Sequence, residues 1–257
     1  MLALKLLLVP LFMGLISLAG KHFGPSIAGW LAGLPVVVGP ILLLLSFENG
    51  TAFAGEAARF TLASVMTVIA YGVAYSWAAQ RHGWERSLVC GFAAWLVAAA
   101  VVANIAFTLA SAALLALATL LVAPSLYPRV VIVEKAATLP GSELFLRMFL
   151  GALLTLTVTT LSQSVGTTWS GVASLAPILT PVISVFMHRR SGGIYAIVML
   201  TALARGLYSL AAFCFIVAWQ LEALGNVRTF VLATAVALLL QGGTLLLQRR
   251  RSRLASS

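Results

Sequence analysis

Apolar runs of about twenty residues, separated by short polar interruptions, organise the chain. Leu2 to Ala19 is the first, Ser26 to Phe47 the second and Phe60 to Ala79 the third. Ser87 to Leu126 then holds forty residues without a charge. At about 1.5 Å rise per residue, one straight helix of that length is twice what a bilayer accepts. The stretch therefore divides near Asn104 into a fourth and a fifth helix joined by a tight turn. A polar connection, Tyr127 to Ser142, precedes four more runs: Leu144–Ser162, Thr168–Met187, Gly193–Gln220 and Thr229–Leu247. The polar pieces FENGTAFAGEAAR, QRHGWER and HRRSGG are expected as loops after the second, third and seventh runs. The pattern predicts an all-α polytopic membrane protein with about nine transmembrane helices.

Composition narrows the class. The 257 residues are 61% hydrophobic and 9% charged, with a mean hydropathy of +1.07. Soluble domains carry about 25% charged residues, so this chain lacks the means to cover a water-facing surface. A transmembrane barrel would alternate in ten-residue segments, and no such pattern occurs. The net charge of +10 does not mark a nucleic-acid binder, because the basic residues stand singly or in small groups between apolar runs. Cys90 and Cys214 lie within apolar runs and are expected as free, buried thiols.

The stretch Gly24–Pro40, GPSIAGWLAGLPVVVGP, returns as Gly166–Pro181, GTTWSGVASLAPILTP. A constant shift of 142 lays Gly24 on Gly166, Gly29 on Gly171 and Pro35 on Pro177. Without a gap it also lays Gly50 on Gly192, Trp77 on Trp219, Gly83 on Gly225 and Arg86 on Arg228. Matching Gly, Pro and Trp in one register points to an internal repeat. Residues 1–105 form repeat one (helices one to four) and 106–142 hold the linking fifth helix and a cytoplasmic linker. Residues 143–247 form repeat two (helices six to nine), and 248–257 are a basic cytoplasmic tail. The first run also has the outline of a signal peptide, with Lys5 ahead and Ser17-Leu18-Ala19 behind. Its partner under the shift, Phe145–Ser162, favours a retained helix.

Charge sets the orientation. With the C-terminus in the cytoplasm, the nine-span count puts Lys21, Arg81, Arg86, Arg129, Lys135, Arg147, Arg189, Arg190 and the four tail arginines inside. Lys5, Arg59 and Arg228 fall outside, and Arg205 lies within a span. This is the positive-inside bias, and it places the chain in the cell (inner) membrane with its N-terminus outside. One helix between two four-helix repeats makes the repeats inverted, as in many secondary transporters.

No catalytic motif is present: no phosphate loop, HExxH, CxxC or GxSxG. The chain is read as no enzyme, with no cofactor, no metal and no nucleic-acid partner. His22, His82 and His188 sit at helix ends and read as interfacial residues. Helices two and seven are expected to be broken, at Gly33, Pro35, Gly39 and Pro40 and at Pro177 and Pro181, since each proline removes a backbone donor. Arg205 lies twelve residues past Gly193, roughly 18 Å into a core about 30 Å thick. A charge there costs about 2.5–3.5 kcal/mol even on mild scales, and no Glu lies in the middle of any predicted span. Thr159 and Gln163, with Thr155, share one face of helix six. Thr180, Tyr208 and Ser209 complete a polar pocket sketched between helices six, seven and eight, and Gln241 lies in the middle of helix nine.

The expected function is a secondary transporter or exporter of a small organic anion, working by alternating access with Arg205 as the charge partner. The alternative is a translocator of an anionic lipid carrier such as a polyprenyl phosphate, and a non-transporting structural subunit is the third reading. Partners are then the anion, membrane lipids and, as an admitted assembly, a second copy in a homodimer.

Overall fold

A computed structural model describes residues 2–130, nine positions from 145 to 157, and 179–254, with side chains described only within 7–244. Its secondary structure among the described residues is entirely helical. In order come α1 (Leu2–Phe23), α2 (Pro25–Ala32), α3 (Val38–Asn49), α4 (Thr51–Ala63), α5 (Val65–Ala79), α6 (Trp84–Ala103), α7 (Leu109–Leu126), α8 (Leu179–Ser191), α9 (Gly193–Leu224) and α10 (Asn226–Leu254). The nine described positions between 145 and 157 are helical as well. Five stretches of the described residues are long and apolar enough to cross a membrane: Thr51–Ala79, Trp84–Ala103, Leu109–Leu126, Gly193–Leu224 and Asn226–Thr244. The described outer surface carries large apolar side chains such as Val89, Val97, Leu114, Leu121 and Leu239. Against hydrocarbon such a surface carries no penalty, because lipid tails are as apolar as the side chains.

Packing inside relies on small residues. Ala54 and Ala58 on α4, with Ala112, Ala116 and Ala123 on α7, are fully or almost fully buried. Spaced by four or seven, they give each helix a flat face, and close approach of backbones then supplies the dispersion contacts that hold helices together in lipid. The forty-residue apolar run divides where expected. Asn104 caps α6, and Thr108 with Ser111 forms a capping box that starts α7. These satisfy donors and carbonyls that a helix end would otherwise leave open.

Two expected loops are helix instead. The FENGTAFAGEAAR piece is divided only at Gly50, between the end of α3 and the start of α4, and an Arg59–Glu56 pair braces it one turn apart. The HRRSGG piece is likewise divided only at Gly192, between α8 and α9. Gly50 has φ 89 and ψ 164; Gly192, 142 residues later, has φ 94 and ψ 166. Only glycine enters that region without strain, so each reversal takes one residue. The register extends further: α6 starts at Trp84 and α10 at Asn226, also 142 apart, each behind a capping glycine or its neighbour. Trp77 and Trp219 are both exposed.

Contacts between helices order their ends. Gly193, the first residue of α9, lies against the carbonyl of Ala79, the last residue of α5, so α9 runs opposite to α4 and α5. The Trp77 indole donates to Leu126 O at the end of α7 (2.8 Å). The Arg189 guanidinium stacks over Trp84 at the start of α6 (5.2 Å), and Gly20 near the end of α1 faces Met187. The ends nearest Lys21, Arg81, Arg86, Arg129, Arg189 and Arg190 thus gather at one end of the bundle. One thiol departs from expectation: both cysteines are free, but Cys90 is exposed while Cys214 is buried. Cys90 lies beside exposed Val89 on the outer side of α6, where a lipid environment accepts a thiol as readily as a core does.

Candidate functional site

The second apolar run folds as two half-helices. α2 ends at Ala32, and the ladder resumes only with Gly39 N–H donating to Pro35 O (2.8 Å) and Ile41 N–H to Val37 O (3.4 Å). Between them Gly33 and Leu34 make tight turns onto Trp30 O and Leu31 O. Pro35 supplies no N–H, so the chain leaves the helix where the sequence loses a donor. Gly39 and Pro40 do not lie in the break: they occupy the first turn of α3, where a missing N–H costs nothing.

α9 crosses this broken element at unusually short range. A Cβ added at Gly29 would overlap Met199 O, and one at Gly33 would overlap the Gly206 backbone; one at Gly206 would meet Trp30 O. Three glycines therefore bring two backbones into contact. Polar groups gather around the crossing. The Ser209 hydroxyl lies 2.8 Å from Gly206 O and 3.4 Å from Gly33 O. Gln241 on α10 donates its amide to Trp30 O (2.7 Å), and the Trp30 indole donates to Thr244 Oγ1 (3.0 Å). Gln241 Oε1 on α10 is buried with no hydrogen-bond partner among the described residues.

Arg205 stands on the same helix as this crossing. It is twelve residues from Gly193 and nineteen from Leu224, roughly 18 and 28 Å from the two ends of α9. Its side chain is exposed. At about 100° per residue it falls between Ser209, which faces the break, and Tyr208, whose hydroxyl donates to Leu120 O of α7 (2.9 Å). Tyr208 and Ser209 thus reach toward elements of the first half. Thr180 is buried in the first turn of α8. Pro181 follows it and lines an apolar cavity of about 320 Å³ with Leu88, Phe92, Leu153, Val185 and Phe186. Thr159, Gln163 and Pro177, with Thr155, lie outside the described residues.

Trp30 and Thr244 belong to the cluster and were not singled out from sequence. A Gln-x-x-Thr step on an otherwise apolar helix, one turn apart, is the signal that could have found Thr244. Tyr71, Tyr75, Ser184 and His188 form a second buried polar group, and its two i,i+4 pairs carry the same kind of signal. Compared with protein-family models, curated proteins and solved structures, the chain matches none.

Proposed function

We propose that the chain is a secondary transporter that carries an organic anion, taken up from the bilayer as an amphiphile whose charge docks at Arg205. One observation carries this reading: a guanidinium in the middle of a long apolar helix has an exposed side chain. A small soluble anion needs a cavity closed to lipid, whereas an anionic lipid needs a charge reachable from the side. The exposure favours the lipid.

The inverted-repeat scaffold of nine spans belongs to the same proposal. It is supported by the shared register of Gly50 and Gly192, by the opposed directions of α4–α5 and α9, and by the basic residues gathered at one end. Positive charge favours the cytoplasmic side, giving an outside N-terminus. Two related halves in opposite orientation have two nearly equivalent arrangements, each open to one side. In this scheme the break at Gly33–Val37 is the hinge of one half, and rocking about the Gly29–Gly33–Gly206 crossing moves the site next to Arg205 between the two sides.

Thermal shift of the purified protein tests the assignment. Dodecyl phosphate, the uncharged dodecyl maltoside, inorganic phosphate and citrate are compared on wild type and Arg205→Ala. A bound ligand stabilises the folded state by mass action. Stabilisation by dodecyl phosphate that is lost in Arg205→Ala supports the proposal. Stabilisation by citrate or phosphate alone moves the cargo to soluble anions, and equal shifts in both proteins overturn the site.

A further inference from the structure

The second buried polar group joins α5 to α8 at the basic end of the bundle. Tyr71 Oη lies 3.0 Å from Ser184 Oγ, and Ser184 Oγ donates to Pro181 O (3.1 Å). One turn on, Tyr75 Oη lies 3.1 Å from His188 Nδ1 and 3.4 Å from Ser184 O. The Tyr75 and His188 rings also pack edge to face, with centroids 5.8 Å apart. Tyr71, Tyr75 and Ser184 are fully buried, and His188 is half-buried. These two turns tie an element of the first half to one of the second.

His188 belongs to the basic last turn of α8, past the apolar stretch. The groups around it come from its own helix and four others. α5 offers Tyr75, and α6 offers Glu85, whose charge acts on it. On α8 itself, Arg189 is drawn over Trp84 and exposed Arg190 follows. α9 presents the Gly193 backbone near Nε2, and the last turn of α1 carries Lys21 and His22, both exposed.

We propose that His188 is a proton-binding site that couples transport to protons: the neutral imidazole holds α8 on α5, and the imidazolium releases it toward the cytoplasm. This rests on the transporter reading and names its coupling ion. The proton comes from cytoplasmic water. Tyr75 Oη either donates to a bare Nδ1 or, with its hydrogen on Ser184 O, accepts from Nδ1–H, and the imidazolium leaves only the second arrangement. The imidazolium is left half-buried beside Arg189, with Glu85 in its favour.

The direction of the effect follows from desolvation. Burial pushes His188 below its ordinary value of 6.5, and Glu85 opposes this only in part. In an opened, hydrated arrangement the imidazole regains its ordinary basicity, so the opened form binds the proton more tightly. Acidification through and below about pH 6.5 therefore favours opening. No intramembrane carboxylate is needed, in keeping with a chain that has no Asp.

The test uses the full chain in nanodiscs with Cys90 and Cys214 replaced by alanine. Ala79, buried at the end of α5 beside Gly193, is replaced by cysteine and its rate of modification by a methanethiosulfonate reagent is measured from pH 8 to 5. Exposed Gln80→Cys serves as the reference, which removes the thiol's own pH dependence. The Ala79→Cys to Gln80→Cys rate ratio is expected to rise at least threefold on acidification and to stay flat in His188→Gln. Tyr75→Phe is expected to raise it already at pH 8. Histidine-labelled NMR gives a second readout, in which His188 titrates below the ordinary value of 6.5. A flat ratio in wild type, a rise that persists in His188→Gln, or a His188 that titrates at or above 6.5 overturns the proposal. None of these measurements needs cargo, so failure of the anion site leaves them interpretable.

Discussion

Two sets of four residues occupy corresponding positions under the shift of 142, and they are chemically opposite. At the basic end, α8 meets α5 through Ser184, His188, Tyr71 and Tyr75, a hydrogen-bonded group with a titratable member. Their counterparts are Leu42, Ser46, Phe213 and Val217. Three of these are apolar and buried, and the Ser46 hydroxyl bonds within its own helix to Leu43 O (2.6 Å). The backbones agree where the chain reverses, at Gly50 and Gly192, while the side chains do not. In the proposed scheme the symmetric frame supplies two alternative arrangements, and the asymmetric chemistry sets which end responds to pH and which responds only to packing. Arg205 makes the same point, since its counterpart is Ala63, fully buried in α4.

The largest effect expected from this comparison is all-or-none. In a background without Cys90 and Cys214, Asn49→Cys and Ser191→Cys stand at the ends of α3 and α8. An impermeant maleimide applied outside intact cells labels the first and spares the second until the membrane is opened. Labelling of both from one side means the halves are not inverted.

Next in size is the backbone crossing. Gly206→Val drives a branched side chain into Trp30 O and Gly33, where backbone cannot yield, and is expected to cost about 3 kcal/mol of stability or more. At the corresponding place Ser64→Val loses one hydroxyl bond to Phe60 O, expected to cost about 1 kcal/mol. Equal losses in thermal unfolding would make the two positions alike after all. Smallest are the paired reversals: Gly50→Ala and Gly192→Ala each hold a non-glycine residue at positive φ, worth about 1 kcal/mol. The two losses match if the reversals are equivalent, and a difference of more than about twofold in that loss separates them.

Several of these features were legible in the sequence. The run lengths placed the helix boundary at Asn104, the loss of donors placed the break near Pro35, and the pieces expected as loops contain both reversals. Gly50 and Gly192 stood out as a matched pair in the repeat register, and a one-residue reversal needs a glycine whatever its neighbours are. The helicity of the polar pieces on either side of them could not be read. Polarity marks where a chain leaves hydrocarbon, and not whether it stays helical when it does. The direction of Arg205 was hidden for a related reason. α9 is apolar nearly all the way round, so no stripe reports which side faces the bundle. The Tyr75–His188 contact joins residues 113 apart, and one sequence carries no record of such a pairing beyond the repeated i,i+4 spacing.

Charge at Arg205 is the central claim, and carriage of an anionic amphiphile across a bilayer tests it most directly. Proteoliposomes containing wild type, Arg205→Lys or Arg205→Ala are loaded with a fluorescent single-chain alkyl phosphate, and its appearance in the outer leaflet is followed by dithionite quenching. The account predicts transfer above protein-free vesicles for wild type, partial transfer for Arg205→Lys, which keeps the charge but not the planar fork, and a loss of at least tenfold for Arg205→Ala. Transfer by Arg205→Ala at the wild-type rate would contradict it.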